Sequence, residues 1–88
     1  MAEAKPGAVH QHFKGADKRY YVLCTATHTE TKEALIIYIP LYGANAGLPL
    51  ARPKAMWEEE VENRQLDDGQ TYSGDRFWPL PANKPDLG

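Results

Sequence analysis

The chain holds one cysteine, Cys24, in 88 residues. It therefore cannot close an internal disulfide, and a lone thiol fits a reducing compartment. No apolar run approaches the ~20 residues needed to cross a bilayer, so no membrane-spanning segment is expected. Met1 to Gly7 has no apolar stretch of the kind found in signal peptides, which makes a cytoplasmic location the expectation. Charge of one sign is not in excess: ten Lys and Arg stand against twelve Asp and Glu, with a sequence pI near 5.9. A dedicated nucleic-acid binder usually has a clustered basic patch and a raised pI. Internal repeats and low-complexity tracts are also lacking, which leaves a single small domain whose core is limited by its size.

The composition that is present is ordinary for a globular protein, 42% hydrophobic and 25% charged. Two Trp, five Tyr and two Phe supply the bulk for one core. The charge, although balanced overall, is divided along the chain. Residues 1–54 carry seven basic and four acidic side chains, and residues 55–88 three basic and eight acidic. Glu58, Glu59, Glu60 and Glu62 read as a solvated face, and the basic half gives an alternative role as a nucleic-acid-binding accessory domain.

Arg19–Thr27 (RYYVLCTAT) is dense in aromatic and β-branched residues and reads as a strand. Strict alternation places Tyr20, Val22, Cys24 and Ala26 on one face of it, with Cys24 an inert buried thiol. Ala34–Tyr42 (ALIIYIPLY) reads as a second strand that must end or run along an edge at Pro40. The six polar residues between them suit a hairpin loop. Both strands are apolar on two faces, which suggests a curled sheet or an additional covering layer. Gly43–Pro49 reads as a loop, and Pro53 can open a helical turn through Met56. Trp57 to Leu66 is ambiguous, with propensity favouring helix. Asp67-Asp68-Gly69 and Ser73-Gly74 are turn signals, and Asp75–Leu80 reads as a short closing strand. Residues 1–8 read as a flexible arm, 9–80 as the domain and 81–88 as a Pro-rich tail.

Several steps of the sequence form an ordered pattern: His12-Phe13-Lys14-Gly15, Tyr21-Val22, Ala26-Thr27-His28-Thr29-Glu30-Thr31 and Ile36-Ile37-Tyr38. It continues through Leu41-Tyr42, Arg52-Pro53, Met56-Trp57, Glu59-Glu60-Val61 and Arg76-Phe77. In this the chain resembles a bacterial domain-of-unknown-function family, number 1653, over about residues 9 to 78. The resemblance implies a mainly β module similar to SH3-like barrels, with one short helical turn near 53–56. It also turns the reading of Trp57–Glu62 from helix to strand. The chain departs from the pattern at three places. Asp17-Lys18-Arg19 looks like an insertion, Ile39 stands where the family has Arg, and Leu50-Ala51 stands where a Trp usually precedes Arg-Pro.

Candidate chemistry is sparse. His10, His12 and His28 could form a three-His zinc site, but the spacings that mark such sites are missing, and neither a metal nor a cofactor is expected. His28 beside Glu30 could act as a general base toward Thr31 or Cys24; the simpler reading is that these side chains fix the hairpin loop. No catalytic residue is assigned. The expectation is a non-enzymatic binding module presenting Tyr42, Arg52, Trp57 and Arg76 to a protein or peptide partner, with His28 and Glu30 holding the loop beside them. Unpaired strand edges around so small a core further suggest a homo-oligomer, most simply a dimer.

Overall fold

Aromatic and β-branched residues concentrate in the first half of the chain, and that half builds the main sheet. In the computed structural model, which describes residues 3–66 and 68–80, the strands are β1 (Val9–His12), β2 (Arg19–Thr27), β3 (Ala34–Pro40), β4 (Leu50–Pro53), β5 (Glu60–Gln65), β6 (Thr71–Asp75) and β7 (Phe77–Pro79). One helical turn, α1 (Lys54–Trp57), follows β4. The five-stranded sheet has the order β4-β3-β2-β1-β7 and is antiparallel throughout. The hairpin β5-β6 forms a separate ribbon. The protein is mainly β, as expected. Among the described residues no ladder joins β4 to β7, so the strands do not close a barrel by hydrogen bonding.

The helical turn forms where proline allows it. Pro53 has φ near −54°, suited to a helix start, and its missing N–H costs nothing there. The turn runs to Trp57, and Glu58 N–H closes it on the Lys54 carbonyl at 3.0 Å. Lys54 also reaches the Glu58 carboxylate at 2.9 Å, while the other carboxylate oxygen of Glu58 accepts the Ala4 N–H at 3.2 Å. The ambiguous stretch from Trp57 is thus divided: it ends a helical turn and, from Glu60, enters a strand.

The second strand stops at Pro40 rather than Tyr42, and the closing strand covers only Phe77–Pro79. Pro79 is tolerated because β7 lies at the sheet edge, with β1 as its neighbour. Ser73 and Gly74, which read as a turn, lie inside β6. Residues 4–8 pack on the sheet through Ala4 and through Gly7 N–H, which donates to the Val22 carbonyl at 2.7 Å. The Pro-rich tail beyond Leu80 lies outside the described residues.

Cys24 needs correction. Val22 pairs with Tyr38 but Cys24 pairs with Ile37, so Leu23 is an extra residue in β2. This bulge flips the alternation. Cys24 therefore shares a face with Ile37 and is exposed, not buried.

The inner face of the sheet carries the core: Val22, Ile36, Tyr38, Trp57 and Phe77, with Ala4, Tyr20 and Leu50 packed against it. Trp57 from α1 lies flat on Phe77 from β7, ring centroids 3.9 Å apart and planes 7° from parallel. His10 is fully buried beside them, edge-on to Trp57 at 5.7 Å. Its Nε2 accepts the Lys5 N–H at 3.0 Å, so the ring proton is on Nδ1 and donates to the Ala8 carbonyl at 3.0 Å. Burial holds His10 below the ordinary imidazole range. The outer face of the same strands, with Tyr21, Cys24, Ile37, Ile39 and Ala51, is half-buried or exposed. No helix among the described residues is long and apolar enough to cross a membrane.

Candidate functional site

At the end of the sheet opposite the β2–β3 hairpin tip, the chain gathers rings and cations. Tyr20 at the start of β2 is the hub. Its ring lies 5.4–5.5 Å, near-perpendicular, from those of Phe77, Tyr38 and Tyr42. Its hydroxyl shares a 2.6 Å hydrogen bond with the hydroxyl of Tyr42. Partial burial, helped by that bond, holds the Tyr20 phenol well above its ordinary pKa, so it stays neutral. Tyr20, Tyr38, Pro40, Tyr42 and Leu50, with the loop residues Gly43 to Asn45, line a shallow groove of about 260 Å³. That is below the ~300–1,000 Å³ typical of small-molecule sites and has room for a single side chain.

The cations surround this aromatic corner. Arg52 shares the inner face of β4 with Leu50, two residues before it, and its guanidinium lies 5.6 Å over the Phe77 ring. Phe77 is thus held between the indole of Trp57 and a guanidinium, a cation–π contact of about 0.5–2 kcal/mol. Lys18 places its ammonium 5.6 Å from the Tyr42 ring, with the largely exposed Asp17 carboxylate 3.6 Å away. Arg76, between β6 and β7, is tied to Glu59 at 2.8 Å, and its buried Nε has no hydrogen-bond partner among the described residues.

His12 registers the summed field of these charges. Its ring packs against Phe13, Phe77 and Tyr20, and its Nδ1 accepts the Lys14 N–H at 3.1 Å. Burial lowers its pKa to about 4, helped by the positive charges of Lys14, Arg52, Arg76 and Lys18. At neutral pH it is an uncharged imidazole in a basic neighbourhood.

The structure distributes the expected site residues as follows. Tyr42 lines the groove, whereas Arg52 lies beside it over Phe77 and, with Arg76, acts on His12. Trp57, expected at the binding surface, is 1% exposed and belongs to the core behind the corner, where it packs on Phe77, Tyr38 and Tyr20. His28 and Glu30 sit at the hairpin tip, seven residues along β2 from Tyr20, or ~23 Å of strand. There His28 Nδ1 accepts the N–H groups of Glu30 at 3.1 Å and Thr31 at 3.3 Å, shaping the turn. Neither lines the groove. Among the described residues no three His, Cys, Asp or Glu side chains come together as a metal site.

Sequence reasoning missed Tyr20, His12 and Lys18. Tyr20 reads from the sequence only as a strand residue and His12 only as a possible zinc ligand, and nothing local marks either as a hub. Lys18 had a signal, because it falls in the three-residue insertion 17–19. No curated protein and no solved structure was found to match the chain. A family model described as a protein of unknown function (DUF1653) matches residues 8–79. That span includes the whole sheet, the ribbon and every residue of the aromatic and cationic corner, and the chain belongs to this family.

Proposed function

We propose that the protein is a non-enzymatic binding module whose Tyr42–Arg52 corner engages a protein or peptide partner. The carrying observation is the groove between Tyr20, Tyr42 and Leu50 with Arg52 on the same face, close to Phe77. Aromatic walls with a cation at the rim suit an extended segment that inserts one side chain and hydrogen-bonds beside it. Trp57 supports the corner from behind, and Arg76 contributes charge. The bent sheet with a bulged strand and one helical turn is compatible with an SH3-like module, a scaffold whose function lies in its surface sites. The exposed Cys24 thiol suits a reducing, cytoplasmic setting. The half-open apolar outer face supports a homo-oligomer.

The test is a peptide array probed with the wild-type chain and with Tyr42→Ala and Arg52→Ala. A subset of peptides bound by the wild type and lost by both variants, with melting temperatures within a few degrees, is the expected result. Equal loss of binding and of folding would make Arg52 structural. A labelled single-stranded oligonucleotide run alongside tests the alternative role in binding nucleic acid, through retention that falls steeply with salt.

A further inference from the structure

Arg52 is a half-buried cation for which the described residues provide a ring face but no carboxylate. Removing charge from water is costly unless an opposite charge or hydrogen bonds replace the solvent. The neighbouring Arg76 shows the usual solution, a 2.8 Å pair with Glu59. Arg52 lies instead over the Phe77 ring, with no such pair among the described residues. Like charges accumulate on the same spot: Lys14 and Lys18 from the loop after β1, Arg52 from β4 and Arg76 from the β6–β7 junction all act on His12. Two of these cations already have a carboxylate, Lys18 in Asp17 at 3.6 Å and Arg76 in Glu59 at 2.8 Å. Arg52 is left as a half-buried cation among like charges, and an anion at the corner supplies the carboxylate it lacks among the described residues.

We propose that the corner recognises an acidic extended peptide, with an Asp or Glu carboxylate held by Arg52 and Lys18 and a neighbouring apolar or aromatic side chain seated between Tyr20, Tyr42 and Leu50. This rests on the binding-module reading and adds the chemistry of the ligand. A guanidinium presents a planar fork that matches a carboxylate, and Lys18 supplies a second positive charge above Tyr42. The groove's volume accommodates one side chain, which argues for a short anchored segment. A long polyanion is disfavoured by the acidic run Glu58–Glu60 and Glu62 on the following element, by the net charge of −2 and by the sequence pI near 5.9. One or two carboxylates fit this field better than a chain of phosphates.

The experiment uses fluorescein-labelled ten-residue peptides in which a central Tyr or Leu is flanked by Asp and Glu, the same peptides with Asn and Gln, and a single-stranded oligonucleotide. Anisotropy titrations are made with the full chain, Arg52→Gln and Lys18→Gln at two salt concentrations. The expected result is that acidic peptides bind about tenfold more tightly than their amide counterparts, and that each variant removes most of that difference. Saturation with an acidic peptide also moves the His12 ring titration, followed by NMR, up toward the ordinary imidazole range, a change that a purely structural Arg52 would not produce. Should Arg52→Gln unfold the chain, Lys18→Gln and the His12 titration still decide the matter. Amide peptides binding as well as acidic ones would overturn this proposal and leave the binding module standing. Binding of no peptide would overturn both, and retention of the oligonucleotide alone would do so in favour of a nucleic-acid surface.

Discussion

Two imidazoles, His12 and His10, weaken the fold in acid, and His12, at the corner, is the more strongly shifted. His12 titrates at about 4 when folded and near 6.5 when unfolded. Between these values the unfolded chain binds a proton that the folded one does not, so stability is full above pH ~6.5 and falls as the pH drops toward 4. The buried His10 contributes in the same direction. For His12 the loss is on the order of 1–2 kcal/mol once solvent screening is allowed for. Thermal melts followed by circular dichroism from pH 7.5 to 4.5 should show the midpoint declining, and His12→Asn should flatten part of that decline. An unchanged slope in His12→Asn would mean that other groups carry it. None of this was legible in the sequence, where His10 and His12 are only a His-x-His pair. The protonation of His12 depends on burial and on charges that include Arg52 and Arg76, which lie 40 and 64 positions away.

Among the elements, strands rich in Tyr, Val, Ile and Thr declared themselves, because β-branched and aromatic residues pack well on a pleated surface. β2 matches its expected span, and β3 was overextended by only the two residues after Pro40. What propensity could not show was register. The bulge at Leu23 exists only in the pairing of β2 with β3, and it decides that Cys24 faces out. Alkylation of the native chain with iodoacetamide should therefore proceed at a rate close to that in denaturant; strong protection in the native chain would contradict the bulge. β6 was missed for a related reason. Gly74 has φ near +146°, and a Cβ there would meet the Tyr72 hydroxyl at 2.6 Å. That hydroxyl donates to the Asp75 carbonyl at 2.9 Å, while the Tyr72 ring stacks on Phe13 at 5.6 Å and joins the ribbon to the sheet. The glycine thus marks a close approach within a strand, although in sequence it is indistinguishable from a turn. Gly74→Ala should destabilise by about 1–3 kcal/mol in urea melts, and a neutral result would show that Tyr72 swings aside freely.

For the molecule as a whole, the two apolar faces of the sheet have different fates. One is filled by Trp57, Phe77 and Tyr38, and the other keeps Ile37, Ile39 and Tyr21 only partly covered. The sequence showed that β2 and β3 were apolar on two sides, but could not say which side would receive the helical turn. It also put Trp57 on the binding surface, although Trp57 is buried, because that burial depends on residues as distant as Phe77, twenty positions onward. A homodimer pairing the exposed faces should scatter light as about 20 kDa, twice the 9.9 kDa chain. Ile37→Glu should return it to the monomer mass while leaving the circular dichroism spectrum intact. A wild-type mass near 10 kDa at tens of micromolar would count against the dimer.

The sandwich of indole, phenyl ring and guanidinium has a practical corollary. Trp57 is sealed from solvent, yet only one ring separates it from Arg52. Phe77, which touches both, and the groove residues Tyr20 and Tyr38 link the corner to a fluorophore lodged in the dry interior. With Trp78 replaced by Phe, the emission of the remaining indole becomes an intrinsic gauge of occupancy at the corner, readable without attaching a dye.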